Sequence, residues 1–264
     1  MKTSAVGQNI LLCVAVAVSV VASYAAYLGP GVQAERSDIF FLYLHVPTAW
    51  ICYLAFSISL LASVGFLAAK NNLGKSADES KRLEKLDRLE KLDKLDRLAE
   101  VSVVLGLVYG AVALISGAVW AEAAWGAYWN WDPRETTTLI LWVAYVGYLS
   151  VKRSIGSVEK RAVVGAVYNI LAFSTIPLSF LSATLLLSLH PQASKVSSSA
   201  PVQAVLYLNL LAATLFFAYL LTTAYSVWSL EDRVEALIYR KGEGGEGGEG
   251  GEVRGEVRGE GGAV

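Results

Sequence analysis

The chain has 264 residues, of which 55% are hydrophobic and 17% are charged, and its formal net charge is −1. Soluble domains have roughly 45–50% apolar and about 25% charged residues, so this composition excludes an ordinary soluble enzyme and favours a membrane protein. The near-zero net charge, without a basic face, excludes a nucleic-acid binder. The two cysteines, Cys13 and Cys52, lie in apolar runs without a CxxC pair, which excludes a disulfide scaffold.

Six apolar runs are long enough to cross a bilayer, which needs roughly 20 residues. They predict spans at 10–28, 46–69, 101–121, 133–151, 162–187 and 202–230. The first run is longer than the apolar region of about 7–15 residues in a signal peptide, so we expect an uncleaved anchor. The fourth run is the weakest, because its apolar part begins only after residues 136–138. The predicted fold class is an all-α integral membrane bundle of six transmembrane helices.

Lysine and arginine predict the orientation of this bundle. With a cytoplasmic N-terminus, 19 of the 22 basic residues fall in the inner segments and three in the outer loops: Arg36, Arg134 and Lys195. Basic residues concentrate in cytoplasmic loops, so we expect both termini to be cytoplasmic.

Two stretches on the predicted cytoplasmic side are low in complexity. The inner loop 70–100 includes leucine at every third position from 83 to 98 among alternating acids and bases, which predicts a charged, solvated helical extension. The tail 231–264 becomes a glycine–glutamate repeat, and we expect disorder from about residue 242.

The chemistry-bearing residues fall at the predicted outer face. The chain has two histidines, His45 just before the second span and His190 at the end of the fifth. Four of the seven tryptophans lie within twelve residues around the outer loop 122–135, the WWD loop: Trp120, Trp125, Trp129 and Trp131. An interfacial aromatic belt explains such a cluster poorly. If the loop is helical, Trp125 and Trp129 share one face at spacing i, i+4, and Trp131 points elsewhere.

The end of the WWD loop also reads as a helix start. Asp132 is a good N-cap, Pro133 suits the first helical position, and Glu135 completes a pattern similar to a capping box. We therefore expect Asp132 to begin the fourth span, with any ligand role secondary.

The string WGAYWNWD at 125–132 resembles the tryptophan-rich WWD signature of the haem-handling proteins of cytochrome c maturation. Size, span number and the string HVPTAW at 45–50 are similar to the CcmC branch, the heme exporter protein C family. The resemblance covers residues from about 40 to 228. In that superfamily the signature lies on an outer loop, flanked by loops that each bring one histidine.

The resemblance implies transient binding of haem b at the outer face of a prokaryotic plasma membrane and transfer to a haem chaperone, CcmE. It implies an ABC-type CcmA/CcmB complex and the small subunit CcmD as further partners. Neutral imidazole is a natural axial ligand of haem iron, so His45 and His190 are the expected metal ligands.

The other expected cofactor contacts come from the WWD loop. Tryptophan provides an apolar stacking surface for the ring, and a basic side chain, either Arg134, Arg36 or Lys195, would meet the propionates. The predicted cofactor-binding residues are Trp125, Gly126, Trp129, Trp131, Asp132 and Arg134.

Other functions compete with this reading. A b-type haem subunit for electron transfer usually has histidine pairs within its helices, which this sequence lacks. A haem-free membrane scaffold would use the tryptophans to dock a partner, since tryptophan is frequent at interface hot spots. An enzyme would need a nucleophile, base or metal constellation, and the sequence shows only two histidines and an acidic N-cap. We therefore expect no catalytic activity.

Overall fold

The computed structural model describes residues 5–28, 38–73, 82–190 and 200–246. These residues form helices joined by short irregular segments, with no strand in this part of the chain. In chain order the helices are α1 (Ala5–Leu28), α2 (Asp38–Leu73), α3 (Arg82–Trp125), α4 (Pro133–Ser154), α5 (Val158–Ala172), α6 (Thr175–Leu185) and α7 (Ala200–Glu246). The all-α prediction is confirmed for the described residues.

Five stretches of helix are long and apolar enough to cross a membrane, so the chain is a multi-pass membrane protein. They are Ala5–Leu28, Phe41–Asn71, Lys85–Trp125, Val158–Leu185 and Ala200–Trp228. The predicted fourth span forms helix α4, whose 22 residues extend about 33 Å at 1.5 Å per residue. Helix α4 is not among the five apolar stretches. The count of six spans and the cytoplasmic termini therefore stay predictions.

The predicted fifth span is not one continuous helix, because α5 ends at Ala172 and α6 begins at Thr175. Pro177 lies in the first turn of α6, where its missing N–H removes no bond that α6 itself would make. Between the two helices, the amide of Ser174 donates to the carbonyl of Leu171 and that of Ile176 to the carbonyl of Phe173. Each of these bonds joins residues three apart, as in a 3₁₀-helix, whereas a continuous α-helix would join residues four apart.

The centre of the bundle is formed by α2, α3 and α4, with α5 and α6 packed against α4. Phe56 of α2 stacks on Tyr145 of α4 with ring centroids 3.6 Å apart, and both side chains are fully buried. Asn169 of α5 donates to Ser59 and Ser63 of α2 at 2.6 and 2.7 Å. Such bonds join helices where little water competes.

The chain divides into two compact units, Met1–Thr223 and Ala224–Val264. The first holds the helix bundle, and the described part of the second is the carboxyl-terminal part of α7. Helix α7 extends to Glu246, four residues beyond the predicted onset of disorder, and the rest of the predicted tail lies outside the described residues.

The leucine-charge repeat forms the first part of α3, as predicted from 82 onward, but only its beginning is solvated. Leu86 and Leu89 are exposed, whereas Leu92 and Leu95 pack against a buried cluster around Phe66. The leucines spiral around the helix, so the first turns face solvent and later ones meet α2 and α5.

A buried ion cluster joins the same part of α3 to the end of α4. The Lys152 side chain is 1% exposed, and its ammonium lies 2.8 Å from an Asp96 oxygen and 2.9 Å from a Glu100 oxygen. A buried cation needs such partners, because an uncompensated charge is costly in the interior. The later part of the repeat therefore belongs to the packed bundle.

Candidate functional site at one end of the bundle

His45 lies near the start of α2 and is held against α3. Its Nδ1 is 3.2 Å from the hydroxyl oxygen of Ser116, whose own proton goes to the carbonyl of Ala113. This network assigns the imidazole proton to Nδ1, so Nε2 carries the lone pair that can bind a metal. Gly117 makes room for the ring, since a Cβ there would lie 2.8 Å from His45 Cε1.

His190 lies in the segment 186–190 that follows α6, which we call the His190 segment. Its ring centroid is 6.4 Å from that of His45, with the two ring planes at 53°. His190 Nδ1 is buried and has no hydrogen-bond partner, which leaves a polar atom whose burial is uncompensated. Desolvation, followed by the charges of Arg134 and His45, lowers the pKa of His190 to about 4. The ring is therefore neutral at physiological pH, the form that binds metals.

The distance between the rings fits two ligands of a single iron. Imidazoles on opposite sides of one metal ion have ring centres about 6 Å apart, because each metal–nitrogen bond is about 2 Å long and the ring centre lies about 1 Å behind the nitrogen. No group of three or more potential ligands for a bare metal ion exists among the described residues. A macrocycle that brings its own equatorial ligands suits this pair better than a free ion does.

Two tryptophans pack against the two histidines, but the cluster does not form one helical face. Helix α3 ends at Trp125, and Gly126 at φ 77° turns the chain in a conformation that glycine adopts without a Cβ clash. The predicted shared helical face of Trp125 and Trp129 is therefore wrong. Instead, Trp125 packs edge-on to His190 at 5.7 Å, and Trp129 lines the cavity described below.

Trp131 and Trp120 differ most from expectation. Trp131 is 73% exposed with φ 57°, an unusual conformation for a bulky residue, and its ring lies 5.9 Å from that of Trp129. Trp120, which was not among the predicted site residues, packs edge-on to His45 at 5.7 Å. Its place in the tryptophan cluster was the only sequence signal that could have identified it.

Asp132 caps α4 as predicted, and it also joins two loops. Its buried carboxylate accepts the amide of Arg134 at 2.9 Å, the hydroxyl of Ser188 at 2.9 Å and the amide of Leu189 at 2.6 Å. Glu135 reaches back to the amide of Asn130 at 3.0 Å, two residues before the N-cap. Both carboxylates therefore accept hydrogen bonds from backbone amides of loops, which the capping pattern alone did not predict.

A cavity lies beside the histidines between α2, α3 and α4. Its lining is mostly apolar, as the lining of small-molecule and cofactor sites usually is. Its lining residues are His45, Ala49, Cys52, Tyr53, Gly110, Ala113, Leu114, Gly117, Ala118, Trp129, Arg134, Glu135, Thr138, Leu141 and His190.

Arg134 supplies positive charge at this cavity. Its guanidinium lies 6.0 Å from the ring centroid of Phe180, and it has no carboxylate partner within the described part of the chain. Arg36 and Lys195, the other two basic residues considered for an anionic group, lie outside the described residues.

A protein-family model described as Cytochrome C assembly protein matches residues 2–190, which include both histidines and the WWD loop. The chain belongs to the cytochrome c assembly protein family. Two relatives are similar to it at the family level, each over 65% of this chain. Heme exporter protein C of Bradyrhizobium diazoefficiens is 25% identical over 171 residues, 57% of its own length, and that of Paracoccus denitrificans is 26% identical over 179 residues, 66% of its length. The predicted resemblance to the CcmC branch is confirmed.

A shorter stretch is more similar to another branch of the cytochrome c assembly protein family. Cytochrome c biogenesis protein CcsA of Synechococcus sp. (strain CC9902) is 41% identical over 73 residues, 28% of this chain and 24% of that protein. The chain thus spans 57% to 66% of the length of the heme exporter relatives and a quarter of CcsA.

Proposed function

We propose that this protein binds haem b between His45 and His190 at the outer face of a prokaryotic plasma membrane and passes it to a haem chaperone for cytochrome c maturation. The observation that carries the proposal is the pair of imidazoles, 6.4 Å apart and both lining one cavity, in a member of the cytochrome c assembly family. His45 lies near the start of α2 and His190 lies beyond the end of α6, so the proposed site is at helix ends rather than in the middle of the spans.

The residues around the pair fit the shape and charge of haem. Trp125 and Trp120 pack edge-on to His190 and His45, and Trp129 lines the cavity, so the ring would meet aromatic surface. Arg134 is placed to pair with a propionate by a charge-assisted hydrogen bond. When bound, haem supplies the iron that both imidazoles coordinate; the chain's residues orient it and shield its apolar face.

Membrane orientation and partners follow from the family and from the placement of basic residues. The name of both relatives, heme exporter protein C, supports a place in a haem export system with other components. We propose an ABC-type CcmA/CcmB complex and CcmD as those partners, and CcmE as the chaperone. We propose six spans, with α4 as the sixth crossing helix, both termini cytoplasmic, and a binding and transfer role without catalysis.

Optical spectra of the detergent-purified protein test the proposal directly. We expect the oxidised and dithionite-reduced wild type to show a low-spin b-type haem, and the His45→Ala/His190→Ala variant to lose the bis-histidine Soret and α/β bands while remaining folded. A haem spectrum unchanged by the double substitution would reject axial ligation by these residues.

A haem-free scaffold is the second candidate, and the exposure of the WWD loop favours it. Tyr128 and Trp131 are 62% and 73% exposed, which is unusual for aromatic side chains with no partner to cover them. If the wild type lacks haem even when purified with haem supplied, the tryptophans dock a protein instead. Binding of purified CcmE to haem-free protein, lost in Trp131→Ala, would then be the expected result.

A further inference from the structure

The two histidines are held in place by different means. His45 is part of helix α2, and its ring is bonded to Ser116 and packed over Gly117, both on α3. Because α2 and α3 are packed together through the core, the backbone that carries His45 and the residues that its ring contacts are held in place by helix packing.

His190 is held by fewer contacts with the helices: its ring packs edge-on to Trp125, the last residue of α3, at 5.7 Å, but its Nδ1 has no hydrogen-bond partner. Helix α6 ends at Leu185, and the neighbouring side chains Leu187 and Leu189 are 100% and 57% exposed, so they anchor nothing within the described bundle. Hydrogen bonds hold the backbone of the His190 segment in place. The Ser188 hydroxyl and the Leu189 amide donate to Asp132, and the His190 amide donates to Ser188 at 3.1 Å.

We propose that the two axial ligands are unequal: His45 is the fixed ligand, His190 is the releasable one, and Asp132 is the positioning residue that holds His190 until handover. This inference rests on the proposed haem-binding function. When the bonds to Asp132 open, the His190 segment can swing away while His45 still retains the haem. The bond from iron to the His190 nitrogen breaks, and a donor atom of the acceptor protein takes the free axial position, with no change in oxidation state.

The first test needs no haem. In Asp132→Asn one of the two acceptor oxygens becomes an NH2 donor, which faces either the Leu189 amide in place of Oδ2 or the Ser188 hydroxyl and the Arg134 amide in place of Oδ1. In either orientation the His190 segment should lose one of its two bonds to residue 132. We expect hydrogen exchange measured by mass spectrometry to become faster in peptides covering 186–190. Thr184→Ala is the matched control, because the Thr184 hydroxyl bonds only the Leu181 carbonyl of its own helix, and it should leave that exchange unchanged.

The second test follows haem. Haem-loaded protein in detergent is mixed with excess apomyoglobin, and the rate of transfer is read optically. We expect Asp132→Asn to transfer haem roughly 10- to 100-fold faster than wild type, the range expected for losing hydrogen bonds to a charged group. Its spectrum should shift toward a five-coordinate form and return to low-spin with added imidazole. Thr184→Ala should behave as wild type.

A double variant separates positioning from direct contact with haem. If Asp132 acts through His190, Asp132→Asn/His190→Ala should transfer haem no faster than His190→Ala alone, since two changes in one pathway do not add. Additive effects would overturn the inference, as would a wild-type transfer rate in Asp132→Asn. If Asp132→Asn fails to fold, Ser188→Ala takes its place in the test, because it leaves the N-cap intact. It should change haem transfer in the same direction by a smaller factor.

The outcomes also distinguish the two proposals. Loss of bis-histidine haem in His45→Ala/His190→Ala together with normal exchange and transfer in Asp132→Asn and Ser188→Ala would overturn only the unequal-ligand inference. A haem spectrum that the substitution of both histidines leaves unchanged would overturn the proposed function itself.

Discussion

Gly117→Ala tests whether the position of the His45 ring governs haem binding. A Cβ at residue 117 would lie 2.8 Å from His45 Cε1 and 3.3 Å from Nδ1. Carbon atoms in ordinary contact are about 3.5–4.0 Å apart, so the ring must move by about 1 Å. That movement also disturbs the 3.2 Å hydrogen bond to Ser116.

The magnitude follows from the packing. Adding a methyl group to a filled site costs about 1–3 kcal/mol. If this cost falls on the ligand-binding arrangement, it corresponds to roughly 5- to 150-fold weaker haem binding. Alanine also favours helix over glycine by up to about 1 kcal/mol, so the fold itself should survive.

The assay is haem titration of the purified protein, followed at the Soret band, alongside thermal unfolding. Gly65→Ala is the matched control, because its Cβ would meet Leu95 at an ordinary 3.6 Å and it lies in α2, away from the cavity. We expect weaker haem binding in Gly117→Ala alone. Wild-type affinity and an unchanged low-spin spectrum in a folded Gly117→Ala protein would refute the assigned role of His45.

Three further outcomes are expected. Trp129→Ala should weaken haem retention more than Trp131→Ala, because Trp129 lines the cavity and Trp131 is 73% exposed; equal effects in haem-off measurements would contradict this order. Lys152→Met should lower the free energy of unfolding by about 3 kcal/mol, since it leaves two carboxylates without their buried cation, and neutralising both carboxylates as well should restore thermal stability. Because burial lowers the pKa of His190 to about 4, NMR of the haem-free protein should show this imidazole titrating near pH 4 rather than near 6.5; a midpoint at pH 6.5 would show a ring accessible to water. The same shift makes folding less favourable as pH falls from 6.5 towards 4, since only the unfolded chain takes up that proton.

Local patterns in the sequence predicted much of the fold. Apolar runs predicted helices close to the observed ones, and Asp132 followed by Pro133 predicted the start of α4. Hydropathy and capping depend on neighbours within a few residues, so a sequence contains them directly. The break between α5 and α6 was missed, because an apolar run has the same hydropathy whether it forms one continuous helix or two successive helices.

The candidate site, too, was predicted only in part from the sequence. Its composition was visible in the sequence: two histidines, a cluster of tryptophans and an acidic N-cap at one end of the predicted spans. The sequence by itself thus determined which residue types meet at that end, through hydrophobic periodicity and the family motif.

Only the tertiary structure decided how those residues meet. The 6.4 Å between the imidazoles, the packing of Trp120 against His45 and the bonds from Asp132 to the His190 segment all join residues far apart in the chain. The burial of Lys152 beside Asp96 is of the same kind. Such contacts depend on which helices pack together and where glycines let them approach, and no local pattern encodes that geometry.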